Sequence, residues 1–257
     1  MLFPFHLLLA MLAAFLAGAV NSVAGGGTLI TFPALLALGV PSVAANATST
    51  IAIWPGTIGS MWGFRREIRA SSPRLRWMAV PGVLGGIAGA LLLHRTSSAL
   101  FDRMVPFLIL FATLLFTVQA PIQKRLQTKP HAVGDRSARW FAGAVLVQFA
   151  VGIYGGYFGA GMSIVMLSVL AFMGLEDILM MSALTSFFGF CVNGVASGVF
   201  AASHMVVWPY VFAMMGAALL GGYTAAGVAR RLGKTMVRRF VIAVGFAIAV
   251  VLFVRMI

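Results

Sequence analysis

The sequence predicts an all-α polytopic membrane protein built from two inverted repeats, each with a glycine-broken or re-entrant first segment plus three membrane-spanning helices. Three observations carry this. The 257 residues are 61% hydrophobic and only 9% charged, too little charge to cover a soluble domain of that size. An apolar stretch is interrupted by a glycine cluster twice: GAVNSVAGGGTLITFPALLALG from Gly18 to Gly39, and GIYGGYFGAGMSIVMLSVLAFMG from Gly152 to Gly174. The basic residues are gathered in clusters between apolar runs rather than spread along the chain.

Ten apolar segments follow from the hydropathy pattern. They span about 5–22, 28–40, 43–64, 77–94 and 104–120 in the first half, and 140–158, 162–174, 178–202, 205–229 and 240–257 in the second. At about 1.5 Å per residue most can cross a hydrocarbon core about 30 Å thick. Segments 28–40 and 162–174, which follow the glycine clusters, suit half-helices. Pro55, inside 43–64, is expected to kink that helix. Gly18 and Gly143 are read as close helix-packing positions. The first repeat is assigned to 1–120, a basic cytoplasmic linker to 121–138 and the second repeat to 139–257. With no charged residue before Arg65, the first segment lacks the basic flank of a signal peptide and is expected to be retained.

Fifteen of the eighteen Lys and Arg residues fall in three clusters: Arg65, Arg66, Arg69, Arg74, Arg76; Lys124, Arg125, Lys129, Arg136, Arg139; and Arg230, Arg231, Lys234, Arg238, Arg239. Such clusters mark cytoplasmic loops, where they meet anionic lipid headgroups. This explains the net charge of +13 without nucleic acid. If all three clusters face the cytoplasm, each glycine break must reverse the chain and each half crosses an odd number of times, so the halves are inverted. Loop charge agrees: five arginines separate the third and fourth segments of the first half, but only His204 does so in the second. Trp62, Trp77 and Trp140 flank basic loops as interfacial anchors.

The five acidic residues, Glu67, Asp102, Asp135, Glu176 and Asp177, all fall in loops or at segment ends. A ligand at membrane depth must therefore be held by neutral groups. A broken hydrophobic segment at matching places in two halves points to a transporter site. A helix that begins at such a break offers N–H groups and a partial positive charge to an anion. The residues placed there are Asn21, Ser22, Gly25, Gly26, Gly27 and Thr28 in the first half, and Gly159, Gly161 and Ser163 in the second. A second polar set follows each break: Asn46, Thr48, Ser49 and Thr50, then Thr185, Ser186 and Asn193. The neutral alternative is that these side chains join helices to one another. Cys191 is read as an inert packing residue. Scattered histidines give no metal spacing, and an integral-membrane enzyme would need a cluster of acids, histidines or a nucleophile–base pair. Asp102, Glu176 and Asp177 do not make one.

With these breaks, the NATS element (46–49) and the TSF element (185–187), the chain resembles the sulfite exporter TauE/SafE family of membrane transporters. The pattern maps onto Gly25, Gly26, Gly27 and Thr48–Ser49, and onto Gly159, Gly161 and Thr185–Ser186. The second copy departs in having Ala160 between its glycines, with Tyr157 and Phe158 before them. The resemblance implies transport of small anions, often sulfur-containing, such as sulfite or sulfonates. The expectation is a multi-pass secondary transporter of the inner (plasma) membrane working by alternating access, with an anion channel or uniporter as the alternative. No cofactor, metal or enzymatic activity is expected. The expected partners are a small anionic substrate and anionic lipids at the basic loops, with homo-oligomerisation left open.

Overall fold

The computed structural model describes residues 2–23, 26–128, 138–173, 175, 177–232 and 234–256. Among these the chain is helical and contains no strand. The first half comprises α1 (Leu2–Val23), α2 (Thr28–Ala37), α3 (Ser42–Ile53), α4 (Gly56–Gly63), α5 (Arg65–Ala70), α6 (Pro73–Trp77), α7 (Ala79–Arg95) and α8 (Ser98–Thr128). The second comprises α9 (Ala138–Tyr157), α10 (Met162–Phe172), α11 (Ile178–Ala202), α12 (Trp208–Leu232) and α13 (Lys234–Met256). Four windows among the described residues are long and apolar enough to cross a bilayer: Pro4–Asn21, Pro73–Arg95, Ser98–Val118 and Leu179–Ala202. Large apolar side chains face outward along several helices, including Phe5, Leu8 and Leu12 on α1 and Phe212 and Leu220 on α12. The chain is a multi-pass membrane protein.

Local sequence sets the helix ends. α2 closes where Gly39 takes a positive φ of 81° and the Val40 N–H reaches back to the Leu35 carbonyl at 3.1 Å, a glycine-terminated closure. Pro41 then precedes α3. The segment expected at 43–64 is two helices rather than one kinked rod. Pro55 has no N–H and crowds the preceding turn, and α3 stops at Ile53 before α4 starts at Gly56. Its counterpart α11 has no proline and runs unbroken for 25 residues. Asp177 accepts a hydrogen bond from the Leu179 N–H at 2.8 Å, so this carboxylate is the N-cap of α11. α8 continues to Thr128, into the stretch read as linker; residues 129–137, Asp135 among them, lie outside the described residues.

Packing follows a reciprocal pattern. α1 packs on α12 and α9 packs on α7. α3 meets α12, and α11 meets α7. α2 touches α13, α10 touches α8, and α8 lies against α13. Each contact in this set recurs when corresponding helices of the two halves are exchanged.

The two largest seams are built on small residues, as helix association in lipid favours. A Cβ at Gly18 would strike the Ala218 carbonyl, and one at Gly221 the Phe15 carbonyl. On the other side, Gly85 and Gly89 lie against the carbonyls of Phe149 and Ile153, and Gly152 and Gly156 against those of Gly82 and Gly86. The expectation for Gly18 is met, but Gly143 is different. It is exposed, and a Cβ there meets nothing within 4 Å. The sequence pattern does not reveal which glycines lie on a seam, because both kinds sit in equally apolar helices.

Trp62 and Trp77 are 66% and 69% exposed and flank the arginines of α5 and α6, with the Arg65 guanidinium 5.2 Å from the Trp62 ring centre. The Trp140 side chain lies outside the described residues.

Gly156→Leu should push α7 from α9 and cost about 1–3 kcal/mol. Gly143→Leu should change stability by no more than about 0.5 kcal/mol. Thermal unfolding of both variants in detergent measures the difference.

Candidate functional site

The first interruption is held by Asn21, near the end of α1. Its Oδ1 accepts from the Gly27 N–H at 2.8 Å. Gly26 adopts a φ of 88°, which side chains rarely take, and a Cβ there would enter the Phe116 ring of α8. Gly27 precedes α2 without a side-chain cap, and a Cβ would lie 2.8 Å from the Ala17 carbonyl oxygen. The Leu29 and Ile30 N–H groups turn back on the Gly26 and Gly27 carbonyls at 2.9 Å. The first turn of α2 is thus closed by short-range bonds in this conformation, while its axial dipole still points at the break. Gly25 lies outside the described residues, as does the Ser22 side chain. Thr28 is half-buried at the first helical position.

The second interruption uses Gly159 and Gly161, both with φ of 78°. The Tyr154 hydroxyl donates to the Ala160 carbonyl and ties the loop to α9. Gly161 caps α10 in left-handed geometry. A Cβ there would sit 3.3 Å from Leu115 and 3.6 Å from the Ala112 Cα. Ala112, Leu115 and Phe116 occupy about one turn of α8, so both glycine breaks rest on the same short stretch of that helix. A direct contact joins them as well. Phe158, 1% exposed in the second break, meets Phe32 of α2 edge to face at 5.4 Å. Phe32 also meets Phe101 at 6.3 Å, and Phe101 meets Tyr157 at 5.6 Å.

The polar set of α3 is buried throughout, and each member has its own role. Asn46 Nδ2 donates across the halves to the Tyr157 carbonyl at 2.9 Å. Thr48 Oγ1 accepts from the Val207 N–H at 3.0 Å, just before α12. Ser49 shares a short hydrogen bond with the Thr31 hydroxyl of α2. Thr50 donates to the Asn46 carbonyl at 2.9 Å, an i−4 bond within the helix. Thr31 was not singled out from the sequence. Its signal is the i,i+3 spacing from Thr28 in an otherwise apolar run.

The second polar set is more dispersed. Asn193 Oδ1 lies 3.6 Å from a Cβ position at Gly159, so α11 brings this amide to the break. Thr185 is buried with no partner for its hydroxyl, and Ser186 is half-buried. Ser163 is exposed in the first turn of α10. Among the described residues no hydrogen bond or ring contact joins Thr185, Ser186 or Ser163 to the first break. Trp54 was also not placed in the site by sequence. It bridges the halves by donating Nε1–H to the Phe190 carbonyl at 3.0 Å and stacking on Phe190 at 5.4 Å. Among the described residues no group of His, Cys, Asp and Glu can hold a metal.

Paired, interrupted helices meeting inside an apolar bundle are the architecture of a membrane transporter, and comparison with known proteins agrees. The family model described as sulfite exporter TauE/SafE matches residues 10–252. The chain belongs to this family. A probable membrane transporter protein of Haemophilus influenzae is 32% identical over 236 residues, covering 90% of this chain and 88% of the relative. A probable membrane transporter protein of a Sinorhizobium species, ORF9, is 27% identical over 251 residues, covering 96% and 92%. Escherichia coli K12 has a third, YfcA, 30% identical over 162 residues, covering 62% and 56%. No solved structure matches the chain.

Asn21→Ala removes the acceptor for the Gly27 N–H and should lower stability by about 1 kcal/mol, the usual net worth of one such hydrogen bond. Asn21→Asp keeps an acceptor but sets a carboxylate at membrane depth and should cost at least as much. Melting temperatures of the two variants against wild type check the assignment.

Proposed function

We propose that this protein is a secondary transporter of small anions, sulfur oxoanions or organosulfonates, and that two inverted halves rearrange around a shared site in the inner membrane. The observation that carries the reading is the meeting of the two interruptions: Phe158 packs on Phe32, and Gly26 and Gly161 rest on one turn of α8. Backbone that leaves the helical ladder at membrane depth is tolerated where it is covered by protein or lines a cavity. The reciprocal helix pairing supports a two-fold relation between 1–120 and 139–257, with 121–138 as the basic linker. An odd number of crossings per half makes that relation an inversion.

The chemistry supports an anion held by dipoles. Among the described residues no acid is hydrogen-bonded to either break: Glu67 is in α5, Asp102 is exposed near the start of α8, and Asp177 caps α11. The positive ends of α2 and α10, with the hydroxyls of Thr28 and Ser163 beside them, offer hydrogen-bond donors without the cost of burying a Lys or Arg. During alternation the bonds closing the first turn of α2 would exchange for bonds to substrate. Of the contacts between the halves, the glycine seams α1–α12 and α7–α9 stay closed, and the lighter ones at Trp54–Phe190 and Asn46–Tyr157 rearrange. The basic loops hold anionic lipid on the cytoplasmic face.

Proteoliposomes loaded with sulfite, sulfate, thiosulfate, sulfonates or carboxylates test this. Wild type should give saturable flux of a sulfur oxoanion or sulfonate. Gly26→Leu should abolish it, and Gly143→Leu should retain it. Flux that rises linearly with concentration would identify a channel. Equal flux with Gly26→Leu would remove the break from the pathway.

A further inference from the structure

At the end of α9 is a group of oxygens that anion binding does not use. Asn46 is 1% exposed, and its Nδ2 donates to the Tyr157 carbonyl. Its Oδ1 is enclosed and has no hydrogen-bond partner. A buried amide oxygen in a native protein calls for a partner. The place is specific. The Phe158 and Gly159 N–H groups both donate to the Tyr154 carbonyl, at 2.9 and 3.1 Å, so the Gly155 carbonyl is passed over by the ladder. That carbonyl oxygen and Asn193 Oδ1 flank Gly159, at 3.0 and 3.6 Å from its Cβ position. One amide oxygen comes from each half, and both stand at the negative end of a helix.

We propose that the C-terminal end of α9, with Asn46 Oδ1 and Asn193 Oδ1, is a sodium site that couples cation entry to anion transport. The inference rests on the transport reading above and names its coupling ion. Neutral oxygens at an unwound helix end suit a monovalent cation, whereas calcium or magnesium sites are built on carboxylates. Among the described residues no Asp, Glu or His is hydrogen-bonded to Asn46 or Asn193, so no carboxylate or imidazole is poised there to take a transported proton. The Tyr154 hydroxyl beside it is already donating to the Ala160 carbonyl. Asn46 belongs to the first half and α9 to the second. Asn46 reaches the end of α9 only when the halves are docked as they are here, and a bound cation would bridge them. Its charge also offsets that of an anion carried in the same cycle.

The test is the melting temperature of purified full-length protein titrated with sodium chloride, potassium chloride or choline chloride at matched ionic strength. A ligand that binds the folded state raises the melting temperature with concentration. Wild type should show a saturating rise in sodium alone. Asn193→Ala should raise the half-saturating sodium concentration at least tenfold, and Asn46→Leu should remove the response. If Asn46→Leu does not fold, the wild-type and Asn193→Ala titrations still decide. Equal rises in sodium and choline, or in sodium and potassium, would overturn the proposal. So would an unchanged half-saturating concentration in Asn193→Ala. Anion flux in sodium-free vesicles without a sodium-specific rise would sink the ion site and leave transport standing. A sodium-specific rise with no anion flux would do the reverse.

Discussion

Hydrocarbon does not forgive an unpaired peptide group, and this constraint shapes the protein. Each half interrupts a helix at glycine, leaving N–H and C=O groups that lipid cannot satisfy. The fold answers by placing the interruptions together, covered by α8, by Phe32 and Phe158, and by each other's flanking helices. The local bonds around them, from Asn21 to Gly27 and from Tyr154 to Ala160, close part of what remains. A bundle that needed only stability would keep its helices whole. Two breaks held in contact and lined with amides and hydroxyls are an arrangement whose cost makes sense for a site.

The seams around that centre obey different physics. α1 on α12 and α7 on α9 approach so closely that glycine faces backbone carbonyl. In lipid there is little hydrophobic gain in burying such surfaces, so close packing carries the association. Both seams join a helix of the first half to one of the second; other contacts between the halves, at Asn46–Tyr157 and Trp54–Phe190, are single hydrogen bonds and a ring stack. Exchanging such contacts costs far less than opening a glycine seam. The seams thus hold two pairs, α1 with α12 and α7 with α9, each drawn from both halves, and the lighter contacts lie between them.

Much of this was legible in the sequence, for physical reasons. Apolar runs and glycine clusters fix where helices lie and where they break, and α2 and α10 begin at the residues expected, Thr28 and one residue past Gly161. Pro55 announced a disturbance but not a full division into α3 and α4, which depends on the proline's lost N–H and on local bonds at Trp54 and Thr57. Partnerships across long separations were not legible. Nothing in the NATST run says that Asn46 will reach Tyr157 or that Thr48 will cap the approach to α12, because those partners lie more than a hundred residues away. Polarity marked the right residues, while their tasks were set by tertiary contact. Gly143 shows the same limit from the other side.

The central claim is that the two interruptions form one working site, and cross-linking them tests it most directly. In a Cys191→Ser background, Phe32→Cys and Phe158→Cys place a thiol in each interrupted region. A short bifunctional methanethiosulfonate reagent, spanning the space of the two removed rings, should join the pair within one chain in membranes and stop anion flux, and reduction should restore it. Failure of the bond to form, or full flux with the pair locked, would contradict the account.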